Sequence, residues 1–116
     1  MKGIALAALA TLANPVFAQQ ITGVLVNPYT GFVSAIIVVG DASVQQQHLS
    51  ACGVGCEFTD FLQPSQCMIV SISRPEAVYG YNFGPADDLV NIRMQARRYC
   101  QRYGGTNCQE YPPICG

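Results

Sequence analysis

The chain has 116 residues, and its 6 basic residues against 7 acidic ones give a formal net charge of −1. This length predicts a single domain, and the charge gives no reason to expect a nucleic-acid or anionic-membrane partner. The chain contains six cysteines, an even number that predicts three disulfides in a short secreted chain. These cysteines are Cys52, Cys56, Cys67, Cys100, Cys108 and Cys115.

Residues 1–18 are typical of a secretory signal peptide. Lys2 supplies the positive charge, a short apolar run follows, and Val16 and Ala18 occupy the small-residue positions of a cleavage site. The apolar run is shorter than the roughly 20 residues that a membrane-spanning helix needs. We therefore predict a secreted, extracellular domain over residues 19–116, without a membrane anchor.

Residues 21–60 show the hydrophobic period of two strands, a helix and a third strand. The segment 27–31 contains asparagine, proline and glycine and predicts a turn. After this turn, Ile36–Val39 is an uninterrupted apolar run, which predicts a strand buried on both faces and central in its sheet. The predicted elements are strands over residues 23–26, 32–39 and 57–59 and a helix over residues 42–51.

Residues 67–112 show the same order of elements, and their helix has the clearest pattern. Gly84 fits the N-cap and Pro85 the first turn, where a missing N–H costs nothing. Gly104 and Gly105 end the helical pattern. The predicted elements are strands over residues 68–73, 78–83 and 107–111 and a helix over residues 85–103. The apolar stripe of this helix, which predicts its buried face, consists of Leu89, Ile92, Ala96, Tyr99 and Tyr103.

The repeated order indicates an internal duplication, with chance similarity of two short segments as the alternative. In each half a glycine precedes the helix and a cysteine ends it. The duplication predicts an α+β fold, an α/β sandwich of two β-β-α-β units with a mostly antiparallel sheet, two helices on one face and disulfide staples. It also predicts the pairs Cys52–Cys56, Cys100–Cys108 and Cys67–Cys115.

Two groups of residues are candidate binding sites. Four arginines on the second helix form a candidate basic face for an anionic partner, with a solvated helix surface as the alternative: Arg93, Arg97, Arg98 and Arg102. Tyr79 and Tyr81 alternate with a glycine and therefore share one strand face. They are a candidate stacking platform for a sugar or a base, with half-buried core aromatics as the alternative.

The sequence does not predict a catalytic or a metal site. His48 is the only histidine, and the cysteines are expected to be oxidised, so we expect no zinc. Asp87 and Asp88 are adjacent carboxylates, but they lie at a helix start where they complement the dipole. We therefore expect no cofactor and no metal, and an enzyme is the less favoured class.

The signal-peptide junction Val16-Phe17-Ala18-Gln19-Gln20, the short mature chain and the six cysteines resemble the small cysteine-rich secreted proteins of filamentous fungi. The two β-β-α-β units are also similar to the α/β-sandwich killer toxins of such organisms. Bacterial periplasmic domains share this format. The resemblance implies a fold and a secreted, effector- or toxin-like role in virulence or competition, and it assigns no functional residue.

We therefore expect a secreted, non-enzymatic interaction protein that recognises a host or competitor protein or polysaccharide, acting as a monomer. Two other functions remain open. One is a small secreted hydrolase, such as an extracellular ribonuclease, which would join His48 to Glu57 or Glu76 and an arginine in one cleft. The other is a carbohydrate- or cell-wall-binding module, which would present a flat strip of tyrosines.

Overall fold

A computed structural model describes residues 21–38 and 42–116. The predicted signal peptide and the last residue of the predicted strand 32–39 lie outside these residues. The elements are β1 (Ile21–Asn27), β2 (Phe32–Val38), α1 (Ala42–Cys52), β3 (Glu57–Leu62), β4 (Gln66–Ser73), β5 (Val78–Pro85), α2 (Leu89–Arg102), β6 (Gln109–Glu110) and β7 (Ile114–Cys115). Within the described ranges, no helix is long and apolar enough to cross a membrane.

The strands form two antiparallel sheets with the same internal order. The first sheet has the order β2-β1-β3, and the second has the order β5-β4-β6, with β7 also beside β4. In each β-β-α-β unit, the first strand is therefore flanked by the second and the third. The predicted α+β class, with two such units and disulfides, is confirmed, although the strands are divided between two sheets.

The second sheet is the central layer of the molecule, and the side chains of its middle strand β4 are buried on both faces. Met68, Val70 and Ile72 alternate along the strand and pack with Val24 and Val26 of β1, which closes the core between the sheets. On the opposite face of β4, Ile69 packs against Ile92 and Ala96 of α2. Burial of each large aliphatic side chain stabilises the fold by about 1.5–3 kcal/mol. The resulting layers are first sheet, second sheet and helix.

The expected central position of strand 32–39 is wrong. The segment forms β2, which lies at an edge of the first sheet, and Ile37 is 65% exposed. The central position belongs to β1, where Val24 and Val26 are fully buried. An apolar run shows that a strand has side chains suited to burial, but it does not determine which strands pair with it. Here α1 returns the chain to the free side of β1, and this connection sets the order.

The two helices lie against different sheets, and not on one face as expected. The contacts of α1 are mainly with β1, whereas α2 packs on β4 and β5. The second helix also begins later than expected. Pro85 ends β5 in an extended conformation, Asp87 and Asp88 belong to a 3-10 turn, and the α-helix starts at Leu89. After the helix, Gly104 has a φ of +98°, which glycine adopts without strain.

All six cysteines are paired as predicted. The disulfides are Cys52–Cys56, Cys67–Cys115 and Cys100–Cys108. The second of these joins β4 to β7 and closes the longest loop, with a sequence separation of 48. The third depends on a close approach at Gly105, where an added Cβ would lie 2.5 Å from the Sγ atom of Cys108.

Candidate functional site

A cleft of about 810 Å³ opens where the loops of the first unit meet β5 and the end of α2. Five of the six tyrosines of the chain line it. Its lining residues are Pro28, Tyr29, Gly55, Glu57, Ala77, Val78, Tyr79, Gly80, Tyr81, Asn82, Tyr99 and Tyr103. We call this feature the tyrosine cleft. Its volume lies within the range of small-ligand sites in proteins.

Tyr79 and Tyr81 form the side of the cleft that faces the first sheet. Their ring centroids are 6.4 Å apart and the rings are inclined by 22°. The Tyr79 hydroxyl donates to the Glu57 carboxylate at 2.6 Å, and the Tyr81 hydroxyl donates to the Thr59 carbonyl oxygen at 2.9 Å. Both half-buried residues therefore bridge the two sheets. The structure brings these two predicted residues together at one site.

Burial raises the pKa of the Tyr79 phenol well above its ordinary value, and the hydrogen bond to Glu57 adds to the shift. For Tyr81, burial also raises the pKa, and the negative charge of Asp60 acts in the same direction. A phenol with a raised pKa stays protonated at neutral pH. This side of the cleft therefore presents neutral aromatic groups rather than phenolate nucleophiles.

Gly80 allows the opposite side of the cleft to form. A Cβ atom at this position would lie 2.2 Å from the backbone nitrogen of Cys100 and 2.6 Å from the carbonyl oxygen of Ala96. The backbone of α2 is thus in direct contact with β5, as only glycine permits. This close packing places Tyr99 and Tyr103, near the C-terminal end of α2, beside the strand.

The rim of the cleft is built by two loops of the first unit that share one buried side chain. The side-chain amide of Asn27 donates to the Val54 carbonyl oxygen, and its oxygen accepts from the backbone N–H of Tyr29, both at 3.1 Å. Tyr29 is 64% exposed and Val54 is 96% exposed. Gly55, with a φ of +87°, lies against the Tyr29 ring, where an added Cβ would be 2.5 Å away.

The ionisable lining of the cleft consists of Glu57 and the tyrosines. None of the described lining residues is a histidine, a lysine or an arginine. A ligand in this cleft therefore meets aromatic surface, the backbone of β5 and one carboxylate. Such a site favours a neutral or basic group over an anion.

The four predicted arginines do not form one face. Arg93 is paired with Glu110, and the Arg102 guanidinium lies 5.3 Å from the centroid of the Tyr99 ring. Arg97 and Arg98 are exposed. Because successive residues are about 100° apart around a helix axis, these two point in different directions. The four guanidinium groups are therefore spread around α2, and the binding of an anionic partner by any of them stays a prediction. Arg102 packs on Tyr99 but is not among the lining residues of the tyrosine cleft.

The residues considered for catalysis are apart from the cleft or already engaged. His48 is half-buried on α1 and is not among the lining residues. Glu76 accepts hydrogen bonds from the Ser73 hydroxyl and from the hydroxyl and backbone N–H of Thr106. These bonds, the one from Ser73 foremost, lower the pKa of Glu76 to about 2. The described part of the chain holds no group of three or more metal-ligating side chains.

Three further tyrosines of the lining are not predicted from the sequence as part of this site: Tyr29, Tyr99 and Tyr103. Glu57 is predicted only as a member of a hydrolase cleft. The apolar period of α2 places Tyr99 and Tyr103 in its buried stripe, but Tyr99 is half-buried and Tyr103 is 63% exposed. The surplus of tyrosine was the available signal, because five of the six meet at one place. Their meeting depends on the packing of one unit on the other, which a sequence pattern does not encode.

No protein-family model, curated protein or solved structure matches this chain.

Proposed function

We propose that this chain is a secreted, non-enzymatic interaction protein, of the effector- or toxin-like kind, that binds its target through the tyrosine cleft. The signal-like N-terminus and the three disulfides support an extracellular location. The observation that carries the proposal is the lining of the cleft, where five tyrosines surround an open strand. Tyrosine is enriched in recognition surfaces because it combines a large apolar ring with a polar tip.

The contents of the cleft favour binding over hydrolysis. A small hydrolase would join a histidine, a carboxylate and an arginine around a scissile bond. The lining supplies Glu57 but no histidine or arginine from the described residues, and His48 and Glu76 are not in it. The Glu57 carboxylate also already accepts a hydrogen bond from Tyr79. These placements support a non-catalytic role.

A saccharide-binding module is the second candidate. The near-parallel rings of Tyr79 and Tyr81 favour it, because aromatic faces provide stacking surface for flat ligands. Their hydroxyls are committed to Glu57 and to the Thr59 backbone. These two hydroxyls are therefore not free to bind sugar hydroxyls at the stacked rings, and this weighs against the saccharide.

The test compares two double variants of the oxidised mature protein. Tyr29→Ala with Tyr103→Ala removes two exposed aromatic rings of the cleft, whereas Arg97→Ala with Arg98→Ala is the matched control outside it. Each protein is immobilised and incubated with extracts of candidate host and competitor cells. We expect the wild type and the arginine variant to retain the same partner, and the tyrosine variant to lose it. Retention of that partner by the tyrosine variant, with its fold intact, would contradict the proposal.

A further inference from the structure

We infer that the tyrosine cleft binds an extended peptide, which adds to the open edge of β5 as a further strand and places a basic side chain at Glu57. This inference rests on the proposed function and specifies its ligand. Addition of a strand to a sheet edge is a recurring mode of peptide recognition, in which the backbone supplies affinity and alternate side chains supply specificity.

The edge of β5 is available for pairing. Among the described strands, β5 pairs only with β4, whose other edge carries β6 and β7. Five consecutive residues of β5, from 78 to 82, line the cleft. In an antiparallel ladder, alternate residues direct their N–H and C=O groups away from the existing partner. At least two residues of this segment therefore present free backbone groups to the cleft.

The features that usually prevent pairing at an edge are missing from this part of β5. Exposed edges are commonly protected by charged side chains, prolines or bulges. The strand β5 carries no charged residue, its only proline is the terminal Pro85, and its eight-pair register with β4 is uninterrupted. The edge strand β3, by contrast, carries Glu57 and Asp60, and its pairing with β1 is interrupted by a register shift.

The walls of the cleft match the alternation of an added strand. Side chains of a strand project alternately to the two faces of its sheet. On one face an added strand would meet Tyr79 and Tyr81, and on the other it would meet Tyr99 and Tyr103. At about 3.3 Å per residue, the lining segment of β5 pairs with roughly five residues of peptide. Glu57 lies on the first of these faces and selects a lysine or arginine there.

The edge of β2 does not offer the same site. It is also free of charged residues, but it does not line the tyrosine cleft. A strand added to β2 would therefore not contact the tyrosines of this cleft on either of its faces. The inference is therefore confined to β5.

The experiment uses a bead-bound library of random hexapeptides with one fixed lysine, screened against the oxidised mature protein. Selected peptides are resynthesised with a single backbone N-methyl group at each position in turn. We expect methylation at alternate positions to weaken binding at least tenfold, and methylation at the intervening positions to change it less than about twofold. This two-residue alternation marks pairing with a strand edge, and simple apolar docking does not produce it.

Protein variants test the placement. Glu57→Gln keeps an acceptor for Tyr79 and removes the charge, and we expect it to weaken lysine peptides about three- to tenfold and to reduce the salt dependence of binding. Arg97→Gln, outside the cleft, should leave both quantities unchanged. Three results would each overturn the inference. They are equal sensitivity to N-methylation at every position, an unchanged peptide affinity of the Glu57→Gln variant, and failure to select any peptide.

A saccharide arm separates the two proposals. Chitohexaose and cellohexaose are titrated into the wild type and into the Tyr29→Ala/Tyr103→Ala variant. If a hexasaccharide binds the wild type and not the variant, and no peptide is selected, the cleft is a binding site and the peptide inference is wrong. If selected peptides bind the tyrosine variant as well as the wild type, both proposals fail.

Discussion

The two β-β-α-β units share strand order and disulfide position, but their helices are used differently. In the second unit, the 14-residue α2 buries Ile92, Ala96 and Cys100 against β4 and β5. In the first unit, the 11-residue α1 contacts mainly β1. The second unit is therefore a packed sheet-and-helix layer, while the first contributes a covering sheet and two rim loops. One arrangement of strands thus supplies both a scaffold and a binding rim.

The largest expected effect concerns the disulfide that has no equivalent in the first unit. Chain-entropy estimates give about 4 kcal/mol for the loop closed by Cys67–Cys115 and about 2 kcal/mol for that closed by Cys52–Cys56. We expect the double variant Cys67→Ala/Cys115→Ala to lower the free energy of unfolding more than the double variant Cys52→Ala/Cys56→Ala does. Urea unfolding under non-reducing conditions measures both, and equal losses would show that loop length does not set the difference.

The next effect tests the helix contact that distinguishes the second unit. Gly80→Ala places a Cβ atom 2.2 Å from the Cys100 backbone nitrogen, and the helix must move to accommodate it. We expect a loss of about 3 kcal/mol in the free energy of unfolding. Gly84→Ala is the matched control in the same strand, because its added Cβ would be 3.5 Å from the nearest Ile92 atom, an ordinary contact. Equal stabilities of the two variants in urea unfolding would contradict the contact.

A smaller effect concerns the residue before the second strand of each unit. Gly31 precedes β2 with a φ of +78°, and Ala77 precedes β5 with a φ of +55°. Because left-handed backbone is strained for alanine, we expect Ala77→Gly to raise the free energy of unfolding by about 0.5–1 kcal/mol. The reverse change, Gly31→Ala, should lower it by at least about 1 kcal/mol. Opposite changes in melting temperature check the pair, and changes of one sign would contradict it.

The smallest effect is the pH dependence of the exposed Glu76 carboxylate. Its pKa is lowered from 4.5 to about 2 by the hydrogen bonds from Ser73 and Thr106. The folded state thus binds this proton more weakly than the unfolded state, so the stabilisation is present above pH 4.5 and is lost as the pH falls towards 2.

We therefore expect the melting temperatures of the wild type and Glu76→Gln to converge over that range. Thr106→Val, which removes one donor, should show part of the same behaviour. Parallel pH curves for the wild type and Glu76→Gln would contradict the assignment.

Local features of the fold could be predicted from the sequence, and features set by packing could not. The presence of α2, its C-terminal end and the three disulfides follow from apolar period, breakers and the repeated cysteine positions, whereas the start of α2 lies four residues later than predicted. The central strand of the first sheet could not be predicted, because Ile36 and Ile37 are as apolar as a buried strand requires. Likewise, Tyr103 fits the stripe of α2 but is 63% exposed.

The tyrosine cleft is the clearest case of this limit. Tyr79 and Tyr81 were identifiable as a pair because they alternate within one strand. Their juxtaposition with Tyr29 and Glu57 requires the two sheets to pack face to face. The alternating apolar side chains of β4 fix the packing of the sheets. The positions of the Tyr29 and Gly55 loops beside β5 arise only in the folded molecule.

The buried Asn27 amide has a consequence for the rates of binding. It connects the loop of Tyr29 to the loop of Val54, and the Cys52–Cys56 disulfide closes the second loop. The Tyr29 ring and the backbone at Gly55, which both line the cleft, are therefore held in position before any ligand arrives. Ordering of loops normally opposes association, and here that entropy is lost during folding instead. Loosening this connection would slow the association of a ligand, because the two loops would then have to become ordered during binding, even though no contacting residue had been replaced.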